Sequence, residues 1–593
     1  MATSHVILEH VTFTYPGADK PALNSIDLEV KKGEFVAIMG PTGSGKSTLL
    51  LLLNGSIPHY IEGTLEGDVI VAGLNTKEAR IPNIAQHVGL IFDDPEVQLV
   101  CPIVEEEVAF GPANLGLPRE EIQRRVESCL NTVRLKGLER RNPYTLSGGE
   151  KQSVAIAAVL AMQPEILVCD EPTSMLDPLG EKRVYSLIRD LNKKYGMTCI
   201  LAGQESEEIA EFADRILILN HGEVVAEGSP SKVFEEEMYI LEKTGIGAPQ
   251  VSVLAARMKK RNLWKSAIPL ALEEAKVELA RILEGNMAKQ AVGRVEGEIE
   301  EQEMIREQTE GKAIIRFDDV YFKYPEAYEY ALENINLTIR EGEFLALIGQ
   351  NGSGKTTLSK HIIGILKPTQ GKVFVDGCDT LRASTAELAR TVGYCFQNPD
   401  HQLFSLSVKE ELSFGPSNFS LQPNEIERGI YDALKIAGLS ENILDLPPRA
   451  LGKGERQRVA FASILTWNPK IFVIDEPTTG QDLKESLFIM DTLKEFNKRG
   501  KTVIFISHEM ELVAQYATRV AVMCQGQVIL NAPPKTVFTR TDILRESNIE
   551  PPQVTLLANN MGKWGVPPGI LTVDEMEEFL EETLEGKKDA RRV

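Results

Sequence analysis

Gly40-Pro41-Thr42-Gly43-Ser44-Gly45-Lys46-Ser47-Thr48 and Gly349-Gln350-Asn351-Gly352-Ser353-Gly354-Lys355-Thr356-Thr357 are the two stretches that decide the fold. Each fits G-x-x-x-x-G-K-[ST]. Each follows an apolar, strand-like run, Phe35-Val-Ala-Ile-Met39 and Phe344-Leu-Ala-Leu-Ile348, and precedes a helix-like one, Leu49 to Leu53 and Leu358 to Ile363. That strand–loop–helix context separates a phosphate loop from a chance match. Glycines let the loop curl so that backbone N–H groups point inward at phosphate, and the following helix N-terminus adds a favourable dipole. Lys46 and Lys355 are expected to reach the β- and γ-phosphates of a nucleotide, with Ser47 and Thr356 as Mg²⁺ ligands.

Working outward, the two stretches belong to a duplication that covers almost the whole chain of 593 residues. Val108-Ala-Phe-Gly-Pro112 matches Leu412-Ser-Phe-Gly-Pro416, and Asp170-Glu-Pro-Thr173 matches Asp475-Glu-Pro-Thr478. Pro249-Gln-Val251 recurs as Pro552-Gln-Val554, so the repeating unit includes a C-terminal extension. The expected boundaries are nucleotide-binding domains at 1–240 and 313–543, extensions at 241–285 and 544–593, and a linker at 286–312. The linker is rich in Glu, Gln and Lys and poor in aromatics, as flexible or helical connectors are. Each extension ends in an amphipathic stretch: Leu270, Val277, Leu279, Ile282 and Leu283 in the first, Met576, Phe579, Leu580 and Leu584 in the second. The first reading of these is a helix packed on its own domain; holding the two halves together is the second.

Both repeats carry an apolar run ending in paired acids, Ile166-Leu-Val-Cys-Asp-Glu171 and Ile471-Phe-Val-Ile-Asp-Glu476. An Asp-Glu pair alone is usually surface charge. Placed downstream of a phosphate loop at the end of a buried-strand pattern, Asp170 and Asp475 read as Mg²⁺ carboxylates. Glu171 and Glu476 then read as the groups that polarise an attacking water.

Composition sets the outer limits. A hydrophobic fraction of 43% with 25% charged residues is that of a globular protein. The formal charge of −22 argues against an electrostatic footprint for nucleic acid over the whole protein, and the excess acid reads as solvated surface. The seven cysteines are scattered with no C-x-x-C pair, so neither a disulfide framework nor a zinc site is expected. The opening Met1-Ala2-Thr3-Ser4-His5 has no basic region followed by an apolar stretch, so no leader is expected. No uncharged run is long enough to span a bilayer. A membrane part, if this protein serves one, is expected from other subunits.

Leu146-Ser147-Gly148-Gly149-Glu150 resembles the signature segment of the ABC ATPase family, with Leu451-Gly452-Lys453-Gly454-Glu455 at the matching place in the second repeat. Together with the phosphate loops and acid pairs, the resemblance covers nearly the whole chain. It implies an α/β protein of two tandem P-loop nucleotide-binding domains. Each has a mixed α/β core, a helical signature subdomain and a small C-terminal extension. It also implies ATP and Mg²⁺ as cofactors, ATP hydrolysis, and head-to-tail pairing in which each phosphate loop faces the other domain's signature segment. Tyr15 and Tyr324 are then assigned to stack on adenine, and Asp177 and Asp482 look like the family's acidic loop residues. A narrower resemblance rests on Phe396-Gln-Asn-Pro-Asp-His-Gln-Leu-Phe404 with Phe414-Gly-Pro416, on Phe110-Gly-Pro-Ala-Asn-Leu-Gly-Leu-Pro118, and on the Pro-Gln-Val extension. These are similar to the ATPases of energy-coupling factor (ECF), or cobalt-type, importers, which take up vitamins and transition-metal ions. That resemblance implies a peripheral place on the cytoplasmic face of the cell membrane. The implied partners are a membrane coupling protein and a small membrane substrate-binding protein.

The repeats differ at positions that bear on chemistry. The second has Gln397 and His508 where the first has Asp93 and Gln204. The first has Ser147, Gly148 and Gly149 where the second has Gly452, Lys453 and Gly454. Under the implied pairing every departure falls in one composite site: Lys46, Ser47, Asp93, Asp170, Glu171 and Gln204 facing the segment from Gly452 to Glu455. The other joins Lys355, Thr356, Gln397, Asp475, Glu476 and His508 to the segment from Ser147 to Glu150 and is consensus throughout. Gly452 has no hydroxyl to offer a phosphate, and Gln204 cannot become cationic as His can. Asp93 can still ligate Mg²⁺ but adds negative charge. Glu171, Gln204, Glu476 and His508 are therefore the candidate catalytic residues, with Asp93, Gln397, Ser47, Thr356, Asp170 and Asp475 as candidate metal ligands. A competing function is a soluble twin-domain ABC protein acting on ribosomes. The linker's lack of a basic stripe argues against that reading, and a DNA-repair ATPase would want zinc cysteines or a coiled-coil insertion.

Overall fold

The computed structural model describes residues 4–174, 176, 178–287, 311–325, 327–477 and 482–585. Asp177 and most of the expected linker lie outside the described residues. The chain forms two compact units, one of residues Met1–Ala256 with Lys265–Glu274, the other of Arg257–Trp264 with Ala275–Val593.

In the first unit, strands β1 (Ser4–Thr14), β2 (Leu23–Lys31), β4 (Thr64–Val71) and β5 (Leu74–Asn75) form an antiparallel sheet in the order β2-β1-β4-β5. The alternating burial of β2, apolar Leu23, Ile26, Leu28 and Val30 inward, marks a sheet with one covered face. Strands β3 (Phe35–Met39), β6 (Val88–Ile91), β7 (Ile166–Asp170), β8 (Thr198–Ala202), β9 (Arg215–Asn220) and β10 (Glu223–Gly228) form a second sheet, in the order β10-β9-β3-β8-β7-β6. All its pairings are parallel except β9 with β10. Strand β3 is buried along its whole length, as expected of a central parallel strand covered on both faces. One core joins the two sheets through Val6, Phe13, Leu28, Leu49, Leu53 and Ile200.

The second unit repeats this plan. Strands β11 (Ala313–Phe322), β12 (Leu332–Arg340), β14 (Gln370–Val375) and β15 (Cys378–Asp379) make the antiparallel sheet, ordered β12-β11-β14-β15. Strands β13 (Phe344–Ile348), β16 (Val392–Cys395), β17 (Ile471–Asp475), β18 (Thr502–Ile506), β19 (Arg519–Cys524) and β20 (Gln527–Ala532) make the mixed one, ordered β16-β17-β18-β13-β19-β20. Each unit also has a helical subdomain: Val104–Asn114, Arg119–Thr132 and Gly148–Ala161 in the first, Val408–Asn418, Pro423–Ile436 and Lys453–Leu465 in the second. The Phe-Gly-Pro runs lie in the first helix of each. A Cβ on Gly111 would stand 2.5 Å from Met162 Sδ, and one on Gly415 2.6 Å from Trp467, so glycine lets that helix press onto the turn after the third.

The helix Leu272–Met287 corrects the simpler reading of the first extension. From Ala275 onward it belongs to the second unit, as do Arg257–Trp264. Leu279 and Leu283 are buried. Glu284 accepts a hydrogen bond from Trp564 Nε1 at 2.9 Å. Arg257 pairs with Asp574 and with Glu577 (3.2 Å), and Arg261 with Glu577 (3.0 Å) and with Glu581, all on the helix Val573–Glu585. The amphipathic pattern said that one face is buried; it carried nothing about which body buries it.

Candidate functional site

In a parallel sheet, chemistry gathers beyond the carboxyl ends of the strands, because the loops there leave side by side. Registers in the first unit align Ile38 with Ala202, Ala202 with Asp170, and Cys169 with Ile91. Four adjacent strands therefore deliver the phosphate loop (after β3), Gln204 (after β8), Asp170 and Glu171 (at the end of β7) and Asp93 (after β6) along one edge. The second unit aligns Leu347 with Ile506, Ile506 with Asp475, and Ile474 with Cys395. This brings together the second loop, His508, Asp475, Glu476 and Gln397.

Both phosphate loops are cradles. Gly45 and Gly354 hold φ of 107° and 102°, and a Cβ there would stand 2.6 and 2.7 Å from the carbonyl oxygens of Ala22 and Ala331. Only glycine fits. The helices Lys46–Leu53 and Lys355–Ile362 begin at the next residue. Lys46 Nζ donates to the carbonyls of Gly40 (2.7 Å) and Pro41 (3.2 Å), and Lys355 Nζ to those of Gly349 (2.7 Å) and Gln350 (3.0 Å). Both side chains are buried. The hydroxyls of Ser44 and Ser353 are buried in the loops without a hydrogen-bond partner. Such orphan donors are what an incoming phosphate satisfies. Thr42, Gly43, Asn351 and Gly352 form the loop tips, where the glycines again have positive φ. Tyr15 and Tyr324 lie beside the loops, their hydroxyls 3.0 Å from Thr48 Oγ1 and Thr357 Oγ1, their rings set edge-on against Phe13 and Phe322.

The acids differ between units. Glu476 Oε2 accepts from Gln397 Nε2 at 2.5 Å, and its Oε1 lies 3.1 Å from His508 Nε2. Glu171 Oε1 accepts from Gln204 Nε2 at 3.2 Å and lies 3.6 Å from Lys46 Nζ. Both glutamates have positive φ, 42° and 52°, rare for a residue with a side chain. Strain of this kind is kept where the surroundings impose it. Here each amide is tied to the neighbouring strand, Glu171 to Ala202 O (2.9 Å) and Glu476 to Ile506 O (3.1 Å). Burial, reinforced by Glu476, pushes Asp475 up to about 6, against hydrogen bonds from Thr356 and Tyr394. Burial also pushes Asp170 up to about 6; the Ser47 hydrogen bond opposes it, and the charges of Glu171 and Asp93 reinforce it. Glu205, next to Gln204, is raised by burial and by Glu171.

The signature segments begin helices. Ser147 caps Gly148–Ala161: Glu150 N donates to Ser147 Oγ (3.4 Å), and Ser147 N and Oγ donate to Glu150 Oε2 (2.9 and 2.8 Å). Gly452 keeps only the backbone half of this arrangement, its N donating to Glu455 Oε2 at 3.2 Å, with Lys453 and Gly454 opening the helix.

Three residues near the second loop escaped the sequence reading. Tyr394 donates to Asp475 Oδ2 (3.2 Å) and lies 2.9 Å from Ser359 Oγ. Asn548, from the C-terminal extension, donates to Gln350 Oε1 at 2.6 Å. The signal was present in the repeat itself. Ser359 and Tyr394 stand where the first repeat has Leu50 and Leu90, and Asn548 where it has Gly245.

Two phosphate loops, each at the end of a central parallel strand and flanked by strand-end acids, define a protein with two tandem nucleotide-binding domains. The family model for the ABC transporter domain matches residues 23–174 and again 332–479. A predicted ABC transporter ATP-binding protein of Caldanaerobacter subterraneus subsp. tengcongensis is 42% identical over 97% of this chain and 99% of its own length. One of Methanosarcina mazei is 41% identical over 97% of each. The chain belongs to the ABC transporter ATP-binding family and is an ATP-binding ATPase. Among solved structures, CbiO1 of Clostridium perfringens, part of the ABC transporter complex CbiONQ, is 36% identical, covering 43% of this chain and 100% of its own, with a TM-score of 0.36. The cassette MJ0796, in a dimeric post-hydrolysis state with ADP and Pi, is 31% identical over 37% of this chain and 98% of its own, with a TM-score of 0.35.

Proposed function

We propose that this protein, peripheral on the cytoplasmic face of the membrane, energises a membrane importer of the energy-coupling-factor type that takes up a vitamin or transition-metal ion. The supporting observation is an exposed apolar patch beside the loop of each unit. In the second, Phe404 and Phe414 pack edge to face at 4.8 Å while 63% and 50% exposed, next to Leu406 at 82%. In the first, Val97, Val100 and Phe110 are 69%, 63% and 50% exposed. Large apolar side chains grouped this way mark an interaction surface. Both patches are built and not frayed: buried Glu411 Oε2 accepts from Phe404 N and Ser405 N (2.9 Å each), and buried Glu107 Oε2 from Val100 N (2.8 Å) and Cys101 N (2.6 Å). The expected occupant is a membrane coupling protein, working with a small membrane substrate-binding protein. Among the described residues no helix is long and apolar enough to cross a membrane.

ATP is held by the loops Gly40–Thr48 and Gly349–Thr357 with adenine on Tyr15 and Tyr324. The oxygen-only set of Thr356 with Asp475, 3.3 Å apart, and of Ser47 with Asp170 suits a hard divalent cation, with Gln397 and Asp93 at hand. Mg²⁺ there would neutralise charge on the phosphate oxygens. Glu476, aimed by Gln397 and His508, orients and deprotonates the attacking water, and His508 donates to the departing phosphate charge. Glu171 and Gln204 occupy the same places in the first unit. Phosphoryl transfer depends mostly on positioning and charge. We therefore assign fast hydrolysis to the consensus composite site (Glu476 with Ser147, Gly148, Gly149) and slow hydrolysis with retained ATP binding to the altered one (Glu171 with Gly452, Lys453, Gly454).

The test of the importer reading is co-purification of the tagged full chain from its own host in mild detergent. Recovery of a multi-spanning coupling protein and a small membrane binding protein is expected. Recovery of ribosomes without membrane proteins overturns the importer reading and leaves the ATPase assignment intact.

A further inference from the structure

We propose that Tyr394, set by Ser359, is a positioning residue that fixes the Asp475 carboxylate for the metal–nucleotide complex of the second unit, a device the first unit lacks. The inference rests on the reading of Asp475 as the Mg²⁺ carboxylate.

The geometry is a buried chain of three side chains on three elements. Ser359 is on the helix after the phosphate loop, Tyr394 in β16 and Asp475 at the end of β17. All three are essentially inaccessible, at 0%, 4% and 2% exposure. The phenol oxygen lies 3.2 Å from Asp475 Oδ2 and 2.9 Å from Ser359 Oγ. A carboxylate offers no proton, so the single phenol proton goes to Asp475. Ser359 Oγ donates to the Thr356 carbonyl at 2.9 Å, which fixes the hydroxyl beside the phenol oxygen, 2.9 Å away, in a contact where either hydroxyl can donate.

The consequence is a carboxylate whose two oxygens have separate tasks. Oδ2 is engaged from behind by Tyr394, and Oδ1 faces Thr356 Oγ1 at 3.3 Å, on the side of the phosphate loop. Fixing one oxygen orients the other and removes a rotational freedom that ion binding would otherwise have to freeze. The phenol ring is itself pinned, packed at 4.7 Å against Phe396. In the first unit the same two places hold Leu50 and Leu90, which are packed in the apolar core and have no hydrogen to give. Asp170 keeps the front-side Ser47 bond alone of this pair of supports. The second site is thus the better organised one behind the acid.

Tyr394→Phe deletes one oxygen and keeps the ring, and Ser359→Ala removes the setting group. Mn²⁺, as a probe for Mg²⁺, is titrated into the full chain with a non-hydrolysable ATP analogue, and free Mn²⁺ is followed by electron paramagnetic resonance. Two Mn²⁺ per chain are expected in the parent. Tyr394→Phe is expected to weaken one of the two by about tenfold, the size typical of losing a group behind a metal ligand. Ser359→Ala should weaken the same ion by a smaller factor, and analogue binding in excess EDTA should be unchanged in both. Asp475→Asn serves as the reference. If it weakens one ion while Tyr394→Phe and Ser359→Ala leave both at parental affinity, the proposal is wrong and the role of Asp475 stands. If Asp475→Asn also leaves both ions unchanged, the reading of Asp475 fails and takes the proposal with it.

Discussion

Removing one carboxylate at a time separates two unequal sites from two equal ones. Glu476 Oε2 accepts from Gln397 Nε2 at 2.5 Å and its Oε1 lies 3.1 Å from His508 Nε2; Glu171 Oε1 accepts from the Gln204 amide at 3.2 Å and lies 3.6 Å from the Lys46 ammonium. A positioned general base is worth about 10²–10⁴ in rate, which at ~1.36 kcal/mol per decade is about 3–5 kcal/mol of barrier. If nearly all turnover passes through Glu476, Glu476→Gln should leave about 1% of steady-state ATPase or less. Glu171→Gln should then leave most of it. The assay is phosphate release at saturating Mg-ATP, with nucleotide binding measured on the same samples to show that both variants still bind. Two independent and equal sites would leave about half the rate in each variant, since each would lose one of two parallel routes. Two equal sites that must fire together would lose about 100-fold in both. Either symmetric pattern refutes the assignment.

Three further outcomes are expected. In the Glu476→Gln background, Gln204→His combined with Gly452→Ser should restore measurable phosphate release from the first unit's loop. A Cβ at Gly452 meets nothing nearer than Glu455 Oε2 at 3.7 Å, so the serine should change stability by only a few tenths of a kcal/mol, checked by urea unfolding. Asp475→Asn should stabilise the nucleotide-free chain while abolishing turnover at that site. The native carboxyl at about 6, against 3.8 ordinarily, contributes stability that is full below 3.8 and lost as pH rises through 6. The gain from Asn should therefore be largest near neutral pH, about 3 kcal/mol at most, and vanish toward pH 4; a melting temperature insensitive to the substitution at pH 7.5 contradicts it. Glu411→Ala frees the amides of Phe404 and Ser405. It should weaken recovery of the membrane partner severalfold and leave the ATPase rate of the isolated chain unchanged.

The sheet plan was legible because parallel strands buried on both faces write continuous apolar runs, as in Phe344-Leu-Ala-Leu-Ile348, and the phosphate loop fixes which strand is central. The same logic places Asp170, Glu171, Asp475 and Glu476 at strand ends, where they are found. What the sequence withheld are relations between elements. Ser359 and Tyr394 sit in separate apolar stretches, and nothing in either shows that their oxygens meet behind Asp475. Gly40 and Gly45 were readable as loop residues. The carbonyl of Ala22, which forbids a side chain at Gly45, lies on a strand start with no motif. The helix Leu272–Met287 announced a buried face through its period, but the identity of its partner depends on the fold of residues nearly 300 positions away.

That last helix bears on how the gene can be cut. A chain divided within 288–310 looks, on paper, like two self-sufficient ATPases. The upstream piece would carry off Arg257, Arg261 and Glu284 together with buried Leu279 and Leu283, all parts of the second body. The downstream piece would be left with the uncovered acidic helix Val573–Glu585. Expressed separately, the fragments should therefore find each other in trans and elute together. A protease nick in that stretch should leave one particle on a sizing column and two bands on a denaturing gel.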